Sequence, residues 1–252
     1  MNLDLKHKQA IVCGSTQGIG KAIAIELANL GASVTLIARN EEALKKTKQE
    51  LSTEAGQLHS YVCVDFSKPE ELKTLIDAYL QRQPIVHILI NNTGGPPAGP
   101  IFSAKPEEFL SAFNNHLICN HILVQACAEG MKIAKYGRII NIISTSVKLP
   151  LANLGVSNTI RAAVANWSKT LANELGKFNI TVNNVLPGAT ATVRLKTIIE
   201  NKSTKTGQAI DLVTSELISE IPTGRFGEAS EIANAVDGEG RARDETGGHW
   251  LA

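Results

Sequence analysis

The sequence predicts an α/β protein built on one doubly wound parallel sheet with helices on both faces. Three observations lead there. Short apolar runs alternate with longer amphipathic ones, the pattern of successive βαβ units. A glycine-rich turn, Gly14-Ser15-Thr16-Gln17-Gly18-Ile19-Gly20, stands between the first apolar run and the first amphipathic one. No repeat, linker or low-complexity block interrupts the alternation, so residues 1–252 are read as a single domain.

The elements follow in order. Residues 9–13 read as the first strand and residues 18–30 as a helix ended by Gly31. Residues 33–38 form the second strand, followed by a charged helix over 41–51. A third strand at 60–64 leads into a helix over 69–80, for which Ser67 is a suitable N-cap. The fourth strand, 85–90, runs into Asn91-Asn92-Thr93-Gly94-Gly95-Pro96-Pro97. One long helix is expected from about 106 to 132, then a strand at 138–143, a second long helix at 155–175 and a strand at 181–186. Right-handed crossovers place ligand sites at the C-terminal ends of such strands.

Composition narrows the function classes. The chain has 252 residues, 43% hydrophobic and 19% charged, with a net charge of +1, so nothing favours nucleic acid or an anionic membrane as partner. No apolar run approaches the ~18 residues that a spanning helix needs, and the N-terminal residues do not read as a secretory leader. Cys13, Cys63, Cys119 and Cys127 lack metal-type spacing and read as reduced thiols, so no metal site is expected and a cytoplasmic location is.

The glycine turn opens a helix directly after a strand, which lets the backbone approach a pyrophosphate seated on helix N-terminal amides. That context makes the sheet one of Rossmann type. Cofactor choice is set at the end of the second strand, where a carboxylate would bond the adenine ribose and a cation would take a 2′-phosphate. Here Ala38-Arg39-Asn40 offers no carboxylate before Glu41, so Arg39, helped by Ser15 and Gln17, points to NADP(H).

The spacing G-x-x-x-G-x-G, with Asn91-Asn92-Thr93-Gly94 after strand four and Pro187-Gly188 followed by Thr192, resembles the short-chain dehydrogenase/reductase family over about residues 5–236. The resemblance implies that Asp65, with Phe66 beside it, meets the adenine. It implies too that Asn91, Thr93, Gly94, Pro187, Gly188 and Thr192 flank the rest of the cofactor, with Asn40 beside Arg39. The family's active-site frame is a Ser followed thirteen residues later by Tyr-x-x-x-Lys. Counting from Ser144 lands on Ser157, then Arg161. Family chemistry would have the serine polarise a carbonyl, the tyrosine exchange the proton, and the lysine hold the ribose and lower the tyrosine pKa.

Ser157 cannot replace a phenol as acid, because an aliphatic hydroxyl is far less acidic. Arg161 keeps a cation one helical turn further on, able to hold ribose and carbonyl oxygens but not to relay protons. The candidate catalytic set is therefore Ser144, Ser157, Arg161 and Asn115, the last matching a structural asparagine of the family's middle helix. Counting back from Gly137 without gaps places that asparagine at His116 instead, which would be either a relocated acid or a packing histidine. His121 has less claim, and Ser146 reads as a loop hydrogen-bonding group.

The loop 94–100 should wall one side of the substrate cleft, and the family resemblance implies a mobile covering segment over 193–220. After Val236 the resemblance breaks: Asp237-Gly238-Glu239-Gly240 is poor core material, Thr246-Gly247-Gly248 resembles the turn before a last strand, and that edge strand should be short. The family commonly assembles as tetramers through helices such as 106–132 and 155–175, so a homo-oligomer, a dimer at least, is implied. The resemblance is greatest to the 3-oxoacyl-acyl-carrier-protein reductase branch and implies an NADP(H)-dependent reduction of a ketone or acyl-thioester carbonyl. A catalytically silent NADP(H)-binding protein is the alternative. A protein without cofactor is disfavoured by the glycine turn and Arg39.

Overall fold

A computed structural model describes residues 4–239 and 249–251. The first strand, β1 (Gln9–Cys13), lies in the middle of a parallel sheet, with β2 (Ser33–Ala38) and then β3 (Ser60–Cys63) on one side. The chain crosses back to place β4 (Ile88–Asn91) on the other side of β1. Outward from β4 come β5 (Gly137–Ile142), β6 (Ile180–Leu186) and a three-residue edge strand β7 (His249–Leu251). The order reverses between β1 and β4, the position where doubly wound sheets bind ligands.

Alternation along the strands builds two cores. Val12, Leu36, Ile90 and Ile140 face helices α1 (Gly18–Asn29), α2 (Glu41–Gln49) and α9 (Ala229–Glu239). Their neighbours Ile11, Ile37, Leu89 and Ile139 face α3 (Pro69–Arg82), α5 (Cys119–Ala134) and α6 (Gly155–Leu175). Near-continuous apolar strands are what burial on both faces requires. All four cysteines are free thiols, and burial pushes those of Cys13, Cys119 and Cys127 well above their ordinary range.

Several expectations are corrected. The helix expected over 106–132 is α4 (Pro106–Phe113) and α5 joined by a π-helical segment, Asn114–Ile118. Such a segment carries one residue more than an α-turn and re-aims the side chains after it. Ser67 does not cap α3: Lys68 holds that position without a side-chain bond, and the Ser67 N–H instead donates to Asp65 Oδ1 at 2.9 Å. Strand four begins at Ile88, later than expected, because Pro84 and the residues after it contribute no ladder pairs. Over 193–220, where the sequence assigns no secondary structure, the chain forms two helices, α7 (Val193–Thr206) and α8 (Ile210–Ser219). The expected turn at 246–248 lies outside the described residues. No helix among the described residues is long and apolar enough to cross a membrane.

Candidate active site

The turn after β1 is shaped by its glycines. Gly14 sits at φ +58°, and a Cβ there would lie 2.7 Å from Asn92 Nδ2. At Gly20 a Cβ would run into the Gly14 carbonyl oxygen and approach Asn92 Nδ2 to 2.6 Å. Asn92 Nδ2 donates to the carbonyls of Cys13 and Gly14, at 3.2 and 3.3 Å, tying the turn to the end of β4. Gln17 at the N-cap is exposed and makes no capping bond, and the first turn of α1 carries no acid. The first-turn amides are thus left to a ligand, and the dipole favours an anionic one. Thr16 is half-buried on the turn, while Ile19 packs against the core beneath it.

Two expected cofactor contacts are already engaged. Ser15 is fully buried, and its hydroxyl donates to the Ile37 carbonyl at 3.4 Å, which braces the turn on β2. Asn40 Oδ1 caps α2 by accepting from the Ala43 N–H at 3.0 Å. Arg39 is exposed beside Asp65. The Asp65 carboxyl is held below its ordinary value chiefly by the Ser67 N–H, against partial burial, with the Ser67 hydroxyl and the Arg39 charge adding to the effect. Phe66 is buried, and its carbonyl accepts from the Cys119 thiol at 3.2 Å.

Across the ends of β4, β5 and β6 runs a ladder of asparagines in register, Asn91 opposite Asn141 and Asn141 opposite Asn184. Asn91 Nδ2 donates to Asn141 Oδ1 at 2.8 Å. Asn141 Nδ2 reaches Ser168 Oγ at 2.9 Å and Asn184 Oδ1 at 3.2 Å. Asn91 Oδ1 is buried without a partner beside the cleft. The ladder holds the strand ends at fixed spacing under the site. Neither Asn141 nor Asn184 carries a motif that marks it in sequence.

Above the ladder, a small enclosed space is lined by Asn91, Thr93, His116, Asn120, Ile143 and Arg161. Arg161 is buried, and its Nη1 donates to the Ile142 carbonyl at 2.8 Å. Burial first, and then the like charge of Arg194, brings its guanidinium down to about 10. Ser157 sits one turn earlier on α6, buried, with no side-chain hydrogen bond among the described residues. Ser144 lies two residues past the end of β5, and its Oγ accepts from the Ser146 N–H at 3.1 Å. Ser146 itself is buried with its hydroxyl unpartnered, a turn residue of the Ser144 loop.

The two readings of the middle helix separate here. Asn115 does not line this space; its Oδ1 is buried unpartnered elsewhere. The π segment instead brings His116, 2% exposed, onto the cleft. Desolvation, then the charges of Arg161 and Arg194, hold His116 well below its ordinary pKa, opposed by a bond to the Gly94 backbone. It is a neutral imidazole at physiological pH and a poor reservoir of protons. His121 stands against Trp167 Nε1 at 3.4 Å, a packing role.

The outer wall comes from two segments. Loop 94–100 is pinned to the start of α6, with the Gly99 N–H donating to the Asn153 carbonyl at 2.7 Å and the Gly155 N–H to the Gly99 carbonyl at 3.1 Å. Pro187 accepts from the Thr145 N–H at 3.3 Å, and Gly188 is exposed at the edge. Thr192 caps α7, and its methyl carbon comes 3.3 Å from where a Cβ on Gly18 would stand, so the glycine turn and α7 adjoin. Arg194, which the sequence did not single out, reaches back across the cleft to donate from Nη2 to the Pro96 carbonyl at 2.6 Å. Behind α7, a cavity of about 460 Å³ is walled by Leu195, Ile199, Ile210 and Phe226.

A glycine cradle at the switch point of a doubly wound sheet, with a hydroxyl and a buried cation beyond it, defines a dinucleotide-fold site of oxidoreductase type. The chain belongs to the short chain dehydrogenase family, whose sequence profile it matches over residues 8–203. It is 33% identical over 234 residues to the 3-oxoacyl-[acyl-carrier-protein] reductase of Haemophilus influenzae, covering 92% of this chain and 90% of that one. It is also 31% identical over 235 residues to the 7α-hydroxysteroid dehydrogenase of Escherichia coli K12, covering 93% and 88%. The crystal structure of L-sorbose reductase from Gluconobacter frateurii, complexed with NADPH and L-sorbose, superposes with a TM-score of 0.92 at 27% identity, covering 100% of this chain and 97% of that one. Relatives at equal distance thus carry unlike substrate names, and identity at this level does not choose among them.

Proposed function

We propose that the protein is an NADP(H)-dependent reductase of ketones or 3-oxoacyl-type carbonyls, working with Ser157 and Arg161 where the family frame has tyrosine and lysine. The observation that carries this reading is a complete glycine cradle after β1 together with an exposed Arg39 after β2, with Arg161 buried beside the ends of β4 and β5. NADP(H) fits the residues present. The amides of the Gly14–Gly20 turn would hold the pyrophosphate, Arg39 would face the 2′-phosphate, and Asp65 and Phe66 would border the adenine. When bound, the cofactor supplies or accepts the hydride.

The chain's own residues do the rest. Ser144 keeps its O–H to donate to a substrate carbonyl, since its oxygen only accepts from Ser146. Arg161 has N–H groups beyond the one spent on Ile142, available to ribose hydroxyls and to negative charge developing on the carbonyl oxygen. Neither serine ionises near neutrality and Arg161 keeps its proton, so the proton comes from water that the Ser157 hydroxyl orients. Without a phenolic acid, turnover should be about 10²–10⁴-fold below that of a site with one. The cavity behind α7 offers apolar room for a substrate chain.

The catalytically silent reading has one observation in its favour: every tyrosine is engaged elsewhere. Tyr79 bonds Thr35 at 2.8 Å, Tyr61 bonds Glu41 at 3.1 Å, and Tyr136 stacks under Arg138 and Lys8. NADPH binding and oxidation on one purified sample, with 3-oxoacyl thioesters and simple ketones, decides between the two. Oxidation no faster than buffer across the panel removes the enzyme reading. Activity appearing only in Ser157→Tyr with Arg161→Lys establishes the silent one. Self-association, the further part of the reading, is supported by Leu110 and Phe113 exposed on α4, and a cytoplasmic location by the free thiols. Molar mass in solution by light scattering tests the first.

A further inference from the structure

Arg161 and Arg194 enter the cleft from different elements, α6 and the first turn of α7. They converge on one point. The position a Cβ would take on Gly95 lies 3.2 Å from Arg194 Nη2 and 3.6 Å from Arg161 Nη2, so the guanidiniums face each other across a gap no wider than those distances together. Each spends one donor on a backbone carbonyl, Ile142 for Arg161 and Pro96 for Arg194. Neither is within ion-pair distance of a carboxylate among the described residues, and the influences on both are burial and, for Arg161, the other arginine. A buried cation and a half-buried one held together without an anion is an unfavourable arrangement that a bound anion relieves.

We propose that Arg161 and Arg194 form a carboxylate-binding pair at the substrate end of the cleft, so that the natural substrate carries a carboxylate beside its ketone. This rests on the reductase reading above and names its substrate class. The pair sits against loop 94–100 at Gly95 and Pro96, whereas the residues expected to hold cofactor phosphate are Gly14–Gly20 and Arg39, after β1 and β2. Two planar guanidiniums with spare N–H groups suit a carboxylate, which accepts bidentate bonds. Glycine at 95 leaves the space between them open.

The test reads binding alone, so that it stands whether or not the protein turns over. Malonate and its neutral diamide, neither reducible, are titrated by calorimetry into the protein saturated with NADP⁺. Malonate should bind at least about tenfold more tightly, the scale of a charge-assisted bond. Arg194→Met should bring the two to within about twofold while leaving the NADP⁺ affinity within about twofold of the parent. Gly95→Ala, which keeps both arginines and puts a methyl group into the gap, should weaken malonate selectively and guards against a folding defect in the first variant. Equal affinities for malonate and malonamide in the parent overturn the proposal. So does an Arg194→Met protein that loses NADP⁺ and keeps its preference for malonate, which would assign Arg194 to the cofactor's phosphates. An inactive protein that prefers malonate keeps the anion pair and refutes the reductase reading alone.

Discussion

Arg39→Gln is the substitution that most directly tests cofactor choice. Arg39 is exposed, and no carboxylate lies within ion-pair distance of it among the described residues, so its removal orphans no buried partner. The loss then measures its interaction with the 2′-phosphate. A bond to a charged group contributes about 1.5–3 kcal/mol, and solvent screening at this open site places the value near the lower end, about 1.5–2 kcal/mol. That is a rise of about 10–30-fold in the NADPH dissociation constant, with NADH, which has no such phosphate, changed by about twofold or less. Fluorescence titration of both cofactors at low and high salt provides the assay, and added salt should shrink the NADPH effect. Equal weakening of NADPH and NADH, or a change in NADPH below about threefold, would refute the placement of the phosphate at Arg39.

Asn141→Leu should lower unfolding stability in urea by about 3–5 kcal/mol, because it strips the side-chain partner from Asn91 Nδ2 and breaks the bonds to Ser168 and Asn184; a loss under 1 kcal/mol would mean that water replaces the ladder. Gly20→Ala drives a methyl group into the Gly14 carbonyl and should weaken NADPH about a hundredfold or more while far-UV circular dichroism stays native; unchanged affinity would show a turn pliable enough to move aside. Acid should destabilise the protein through His116, which is buried, and His87, which is half-buried. His116 and His87 have folded pKa values depressed below the ordinary 6.5, that of His87 to about 4 by burial first and then Lys8. Below pH 6.5 the unfolded chain takes up protons that the folded one refuses, so stability is full above 6.5 and declines towards pH 4. A urea midpoint flat from pH 7.5 to 5 would contradict the burial of these rings, and His87→Gln should flatten part of the slope.

How far the sequence could be read followed from how local the determinants were. Strands β1 and β2 and helix α6 have the bounds that period and punctuation predict, since apolar runs and glycine stops are written within each segment. The π segment in the middle helix was not legible. Nothing in Asn114-Asn115-His116-Leu117-Ile118 distinguishes an extra residue in a turn from a regular one, and the choice is made by packing against α6 and the strand ends. Within that segment His116, and not Asn115, lines the space beside Arg161. Helices α7 and α8 were hidden by a composition in which exposed apolar residues such as Val193, Ile210 and Leu212 blur the amphipathic stripe. The glycine turn was legible because a backbone without Cβ is visible in the letters themselves. The bond from Ser15 to the Ile37 carbonyl was not legible, because it joins residues brought together only by the pairing of two strands.

Arg161 and Arg194 are better understood as a pair than as separate departures. A lysine at 161, equally buried and beside a second cation, would be driven towards its neutral form, since an ammonium has a lower intrinsic pKa and shifts readily on desolvation. A guanidinium withstands the same pressure: burial and the neighbouring charge bring Arg161 only to about 10, so it stays cationic at neutral pH. The proximity of Arg194 therefore makes arginine the residue that can keep charge at 161. The usual value of a lysine there is to make a nearby phenol more acidic, and on the proposed reading there is no phenol at 157 to act on. What remains useful at that position is permanent positive charge with several directed donors, held 9% exposed against the Ile142 carbonyl. An anion delivered by the substrate would be gripped between the two arginines, and its ketone would be presented to Ser144 without a protein acid beside it. Positioning would then carry most of the rate enhancement, with water left to close the proton balance.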